Sequence, residues 1–267
     1  IIIAKSRKQG ESTIIAADCL DAVMDRQIDA IVLAHDKETA RYIFDIYARF
    51  YKHYDLPKPE LYKGKTNKRE MRFTDHEGHV EVETANNPYA GTGRTPQYLH
   101  CSESAKWEKG AQTLVSLLQS IGDNASTTLI HESTFNGNEA TFLPLWEGAV
   151  KHSTLTFGPN LEVKFEVTNA AEWNHYIPIF ISVLDDEDAR LAFHSEEEAE
   201  RFEQTLDEYE RNARDVHGAS LEFLNWRRYT IRHKCQGDIA IFKQEYPICV
   251  TRETRVSTEF GIIPIEN

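Results

Sequence analysis

The chain has 267 residues, 40% of them hydrophobic, and a formal net charge of −13. That length can bury one sizeable core, or a core with a small appendage, and the acidity excludes a protein that coats nucleic acid, because phosphate contacts need clustered Lys and Arg. No apolar run is long enough to span a bilayer. Cys19, Cys101, Cys235 and Cys249 stand far apart with no C-x-x-C pair, which speaks against a disulfide framework or a zinc site and for reduced thiols.

Ile1 begins inside a strand with no Met, basic leader or cleavage-type site, so the chain reads as a segment of a longer intracellular protein. Ile1-Ile2-Ile3-Ala4 predicts an apolar strand. It runs into Lys5-Ser6-Arg7-Lys8-Gln9-Gly10-Glu11-Ser12-Thr13 and then into a helix from Ser12 to about Asp25, with Ile14, Ile15, Cys19, Leu20 and Val23 on or near one face. Phosphate-binding loops have this layout: in G-x-x-x-x-G-K-[ST], backbone N–H groups cradle the phosphates, the Lys reaches the β/γ oxygens and the hydroxyl holds Mg²⁺. Gly10 and Ser12 fall at the second Gly and the hydroxyl, but Glu11 takes the Lys position and Lys5 the first Gly. A carboxylate cannot neutralise a triphosphate, so the positive charge would come from Lys5, Arg7 and Lys8. Taken alone, the loop equally fits a basic strand-to-helix turn with no catalytic role.

Ala30-Ile31-Val32-Leu33-Ala34 predicts a buried parallel strand, and Lys37 to about Tyr54 a helix with Ala40, Ile43, Phe44, Tyr47 and Phe50 at core spacing. Strand, helix, strand, helix implies a doubly wound sheet. Residues 71–74 and 80–84 read as a hairpin, with His76 and His79 as turn residues rather than metal ligands. Asn86 to Pro96 is a Gly-rich loop containing Arg94. Ala105 to Ile121 predicts a helix with Trp107, Leu114, Leu117 and Leu118 in the core. Glu139 to Val150 predicts another, anchored by Phe142, Leu145 and Trp146. Leu161 to Val167 and Tyr176 to Val183 would complete a sheet of six or seven strands. Two basic patches could contact DNA or be ordinary solvated surface: Lys63, Lys65, Lys68, Arg69 and Arg72, and later Arg227, Arg228, Arg232 and Lys234.

Two further strands end in polar groups. Tyr98-Leu99-His100-Cys101 leads into Ser102-Glu103, the place where a P-loop ATPase puts its Mg²⁺-associated residue and the carboxylate that orients the attacking water. Thr127 to Ile130 leads through His131 into Glu132-Ser133-Thr134, which also suits an N-cap for the helix that follows. With Asn136-Gly137 and the block Phe242-Lys243-Gln244-Glu245-Tyr246-Pro247, the set resembles the large terminase subunits of tailed bacteriophages and prophages. Their ATPase domains carry a deviant K-x-R-x-x-G-x-S-T loop, an LHxSExAxW block and an ESTxNG block. Here these stand in order at Lys5 to Thr13, Leu99 to Trp107 and Glu132 to Gly137, and the resemblance covers residues 1 to 247.

That resemblance implies an α/β P-loop NTPase of RecA/ASCE type, with a mostly parallel doubly wound sheet and a small helical lid. It implies ATP and Mg²⁺ as cofactors. Lys5 to Thr13 would hold the phosphates and Ser12 the Mg²⁺, with Ser102 acting through a bound water. Glu103 would be catalytic, Arg94 an arginine finger acting on a neighbour's nucleotide, and Glu132, Ser133 and Thr134 a sensor coupling phosphate loss to the lid. The implied partners are double-stranded DNA, the procapsid portal protein, the small terminase subunit and further copies in a ring, in the host cytoplasm and with no membrane contact.

The domain reading places the ATPase core at 1–183, a lid at 184–247, where the composition turns acidic at Leu184-Asp185-Asp186-Glu187-Asp188, and an unassigned tail at 248–267. The RNase H-like nuclease domain of complete large terminases has no room here, so nuclease activity is not expected. Two alternatives remain at this stage. One is a helicase-like ATPase lacking its second motor domain; the other is a non-enzymatic scaffold whose loop has decayed, with Glu11 and Ser102 as the signs of decay.

Overall fold

The computed structural model describes residues 1–64, 69–74, 76–87, 89–90, 93, 95–122, 126–137, 139–158, 162–248, 256–258 and 261–263. By its internal contacts the chain divides into two units: residues 1–4 with 10–179, and residues 5–9 with 180–267.

The first strand, β1 (Ile2–Lys5), is buried throughout. The turn after it places Lys8 and Gly10 in the left-handed region, at φ 65° and 88°. A Cβ on Gly10 would meet no atom within 4 Å, so glycine is needed there for its backbone freedom and not for space. α1 (Glu11–Arg26) buries Ile15, Cys19, Leu20 and Val23. Ile14, expected near that face, is exposed because its neighbours at helical spacing are Asp18, Asp21 and Asp25. β2 (Asp29–Ala34) follows, and then α2 (Lys37–Lys52), whose first turn is capped by Asp36 accepting from the Thr39 N–H at 2.7 Å.

β3 (Glu70–Phe73) and β4 (His76–Thr84) form the expected antiparallel pair, but the second strand starts earlier than its apolar pattern predicts. His76 and His79 are therefore strand residues. His76 Nε2 lies 2.8 Å from the Met24 carbonyl, and His79 Nδ1 pairs with Asp29. Among the described residues no group of three or more His, Cys, Asp or Glu side chains could hold a metal ion.

β5 (Tyr98–Ser102) leads into a 3₁₀ turn, Ser104–Lys106, and then α3 (Gly110–Ser120), where one unbroken helix was expected. Trp107 breaks it: its backbone is extended, and its indole N–H donates to the Ser102 carbonyl at 3.1 Å. Leu114 and Leu117 are buried, whereas Leu118, expected in the core, is exposed on the outer side of α3. β6 (Thr128–Ser133) and α4 (Phe142–His152) come next, with the Glu139 carboxylate accepting from the N–H groups of Thr141, Phe142 and Leu143.

β7 (Ser153–Phe157) and β8 (Val163–Val167) form their own antiparallel pair, so β8 does not extend the main sheet. The reason is visible in its sequence, where Val163 and Val167 alternate with Lys164 and Glu166 and no face is fully buried, unlike a parallel strand covered on both sides. β9 (Pro178–Ile181) does join, giving a seven-stranded sheet in the order β3-β4-β2-β5-β6-β1-β9. The pairs β4–β2, β2–β5, β5–β6 and β6–β1 are all parallel.

Helices cover both faces. α1 and α2 pack with β2 and β4, while Ile31, Leu33, Leu99 and Cys101, alternate residues of β2 and β5, meet Trp107 and Leu117. Because β6 lies between β1 and β5, the polar residues that end β5 and β6 emerge side by side.

The second unit contains α5 (Glu196–Glu203), α6 (Glu208–His217), α7 (Leu221–His233) and α8 (Ile239–Glu245). Ser195, Asp207, Ser220 and Asp238 cap their first turns through side-chain oxygens. Phe223, Leu224, Leu206, Val183 and Phe242 make the core. Glu210 is buried there, with Arg227 Nη1 2.9 Å from Oε1 and Arg228 Nη2 2.5 Å from Oε2. Arg227 is itself buried, so it does not belong to a solvated basic patch. Nearer the carboxyl terminus, β10 (Val256–Thr258) and β11 (Gly261–Ile263) pair antiparallel. Among the described residues no helix is long and apolar enough to cross a membrane.

Candidate active site

Parallel register aligns the strand ends. Ser102 of β5 stands opposite Glu132 of β6, and Ala4 of β1 opposite Ser133. Ser12, in the first turn of α1, donates its hydroxyl proton to Glu132 Oε1 at 2.7 Å. His100 Nε2 lies 3.3 Å from the same oxygen, and both His100 and Glu132 are fully buried. A carboxylate accepts and does not donate, so the His100 nitrogen that faces it, Nε2, carries a proton. One carboxylate oxygen thus joins helix α1 to strands β5 and β6.

The turns that follow the two strands are tied together as well. The Ala105 N–H donates to Ser133 Oγ at 3.2 Å, and Asn136 Nδ2 donates to the Ala105 carbonyl at 3.0 Å. His131 Nδ1 lies 3.3 Å from Ser104 Oγ. Burial pushes the His131 ring down to about 3, so it stays neutral at physiological pH. Thr134 is fully buried, its hydroxyl without a partner among the described residues.

Glu103 has φ 50° and ψ 43°, a left-handed conformation costing roughly 1–2 kcal/mol for a residue with a Cβ. Strain of this kind persists where the surroundings dictate it. Here the 3₁₀ turn begins at the next residue, and Lys106 Nζ sits 2.8 Å from Glu103 Oε2.

Ser12, Ser102, Glu103, Glu132 and Ser133 are therefore brought to one strand-end cluster. Residues 5–9 make other contacts, within the second unit. The Ser6 N–H donates to the Ile181 carbonyl at 3.1 Å, Gln9 Nε2 to the Ser182 carbonyl at 2.9 Å and the Arg7 N–H to the Glu245 carbonyl at 3.1 Å. The Arg7 guanidinium pairs with the Glu245 carboxylate, so the cation expected to offset phosphate charge is engaged by an acid. Lys5 and Ser6 are buried and Lys8 is exposed. Glu11, in the displaced Lys position, is buried in the first turn of α1, where the helix dipole favours a carboxylate. Arg94 lies outside the described residues.

His100 was given no role from its sequence. The available signals were its place as the His of the LHxSExAxW block and as one His in an otherwise apolar strand, shortly ahead of Ser102-Glu103. A polar cavity of about 480 Å³ lies at the opposite, amino-terminal end of β2, lined in part by Asp29, Arg72, His76 and His79. Open parallel sheets place ligands at the carboxyl ends of their strands, which favours the Ser12 cluster.

The Ser12 hydroxyl suits Mg²⁺ in one respect. Its hydrogen is directed to Glu132, which leaves the oxygen lone pairs for a hard cation.

A mostly parallel seven-stranded sheet with helices on both faces and a loop passing through Gly10 into α1 defines a doubly wound α/β protein of the P-loop NTPase fold. No family model and no curated protein matches the sequence. Among solved structures, the chain is similar to the large terminase ATPase domain of Thermus phage P74-26, with a TM-score of 0.51 and 13% identity over 92% of this chain and 86% of that one. A mutant of the same domain gives a TM-score of 0.53 at 12% identity, with the same coverage of both chains. Likeness at that identity is likeness of fold: the chain has the fold of a phage large terminase ATPase domain.

Proposed function

We propose that the chain is the ATP-hydrolysing motor domain of a terminase that drives double-stranded DNA into a procapsid. The observation that supports it is the Ser12–Glu132 hydrogen bond at the end of β6, beside Ser102 and the left-handed Glu103, in a fold shared with a phage large terminase ATPase domain. ATP binds with its phosphates in the loop from Lys5 to Thr13, where Lys8, and Arg7 on exchanging Glu245 for phosphate, supply positive charge and Gly10 allows the backbone to turn. Ser12 would ligate the Mg²⁺ that accompanies the nucleotide, and Ser102 would act on it through a bound water. Bound Mg²⁺ neutralises charge on the β- and γ-phosphates.

Glu103 orients a water for in-line attack on the γ-phosphorus and takes its proton as the bond to the β–γ bridging oxygen breaks. Glu132, Ser133 and Thr134 respond to phosphate loss through the tied turns that follow β5 and β6. Arg94 reaches a neighbouring copy's nucleotide in a ring seated on the portal, with the small terminase subunit and DNA as the other partners.

The test is ATP turnover by the full chain, alone and with double-stranded DNA and a portal ring. A motor domain is stimulated by these partners. A chain that binds no nucleotide under any condition is the scaffold with a decayed loop, and one stimulated equally by single-stranded nucleic acid without a portal is helicase-like.

A further inference from the structure

We infer that His100 and Glu132 are positioning residues that aim the Ser12 oxygen at the divalent cation of a bound nucleotide, an inference that rests on the nucleotide reading above. Three observations support it. Ser12 Oγ–H and His100 Nε2–H converge on the same carboxylate oxygen, Glu132 Oε1, at 2.7 and 3.3 Å. Glu132 and His100 are both fully buried, so each is held by its strand and excluded from bulk water. And a hydroxyl that donates its hydrogen to a fixed acceptor has its lone pairs fixed on the other side.

A serine hydroxyl otherwise rotates about its Cα–Cβ bond, and in the first turn of a helix it can turn back to the main chain. The Glu132 carboxylate suppresses that freedom. It also draws the Ser12 proton toward itself, which makes the oxygen a better donor to a cation. The imidazole has the next role outward: with its N–H on the same oxygen, it fixes the carboxylate in the plane that meets Ser12 and offsets part of the cost of burying the charge. Neither side chain touches the cation, so neither is a catalytic residue.

The experiment titrates the full chain with a fluorescent non-hydrolysable ATP analogue, once with Mg²⁺ and once with EDTA, and reads the ratio of the two dissociation constants. Wild type should bind more tightly with Mg²⁺, and Ser12→Ala should lose that gain. His100→Leu and Glu132→Gln should each cut the gain about 10-fold, the size of effect usual for groups that orient a metal ligand, with the EDTA constant unchanged. His100→Gln should restore it, because the glutamine amide N–H reaches about as far as Nε2. In the Ser12→Ala background, His100→Leu should change nothing further.

If His100→Leu does not fold, the isosteric Glu132→Gln decides the matter alone. A full Mg²⁺ gain in the folded His100 and Glu132 variants, beside its loss in Ser12→Ala, overturns the inference and leaves the nucleotide reading standing. Equal losses with and without Mg²⁺ overturn it too, since they mark a general packing effect. A wild-type chain that binds the analogue under neither condition removes the nucleotide reading and the inference together.

Discussion

The Lys106 ammonium lies 2.8 Å from Glu103 Oε2, one 3₁₀ turn beyond a glutamate whose own backbone is left-handed. Both side chains are largely buried, at 23% and 17% exposure, so the pair fixes the direction of the carboxylate more firmly than a surface ion pair would.

If Glu103 aligns the attacking water, its direction matters more than its presence. Lys106→Ala should lower ATP turnover about 10- to 100-fold, the scale expected when a reacting group is misplaced by about 1 Å. Nucleotide affinity should stay within about twofold. A turnover assay beside an analogue titration checks this, and an affinity loss as large as the turnover loss would place Lys106 on the phosphates instead.

Arg7 and Glu11 make a second contrast. Arg7→Ala should weaken nucleotide binding about tenfold, in keeping with the loss of one hydrogen bond to a charged group. Glu11→Gln should weaken it less, because a buried carboxylate at the start of α1 offers the phosphates no positive charge. Equal losses in the titration would contradict a loop whose cation is displaced toward its start.

Much of the fold was legible because burial leaves a plain pattern. Ala30 to Ala34 is apolar at every position and became β2, covered on both faces, and the Pro178–Ile181 run became β9. The elements bearing Ser12, Ser102, Glu103 and Glu132 were legible for the same reason. Other features depend on contacts between residues far apart in the chain. The Arg7–Glu245 pair joins residues separated by 238 positions, and no local signal announces it. His100 reads locally as one more strand residue; only the β5–β6 register brings its ring to Glu132. The left-handed Glu103 could not be foreseen, since that conformation is rare for a residue with a side chain. β8 misled because a short alternation of apolar and charged residues fits an exposed hairpin as well as a sheet edge.

In the second unit, Glu210 sets a pH dependence. Desolvation alone would raise its carboxyl, but the hydrogen bonds from Arg228 and the Asp207 N–H, with the charges of Arg228 and Arg227, hold it below the ordinary value of 4.5. A carboxyl lowered on folding contributes stability above its unfolded value and loses it as pH falls through the folded one. Stability should therefore drop below about pH 4.5, and Glu210→Gln should flatten that acid limb. Arg227→Met, which removes one of the two guanidinium groups that face the buried carboxylate, should cost about 3 kcal/mol, the low end for breaking a buried ion pair. Denaturant melts between pH 3 and pH 7 measure both, and an unchanged acid limb in Glu210→Gln would show that other carboxylates control it.

Arg94 is testable by mixing. An arginine finger is worth roughly 10³ to 10⁵ in rate, so a dilute isolated domain should turn over slowly and rise with concentration or with a portal ring. Arg94→Ala subunits keep Glu103, and Glu103→Ala subunits keep Arg94; co-assembled, the two inactive proteins should partly rescue one another. No rescue at any ratio, in mixtures shown to co-assemble, would leave Arg94 acting within its own subunit or as a loop residue.

The most direct measurement is phosphate release from ATP by wild type and Glu103→Gln, each titrated in parallel with an ATP analogue. An ATP-hydrolysing motor domain requires that wild type turn over and that the variant lose at least about 100-fold, the scale of one acid–base group, while binding the analogue as tightly as wild type does. A Glu103→Gln chain that hydrolyses ATP at the wild-type rate, or a wild-type chain that neither binds nor hydrolyses it with DNA and portal present, contradicts it.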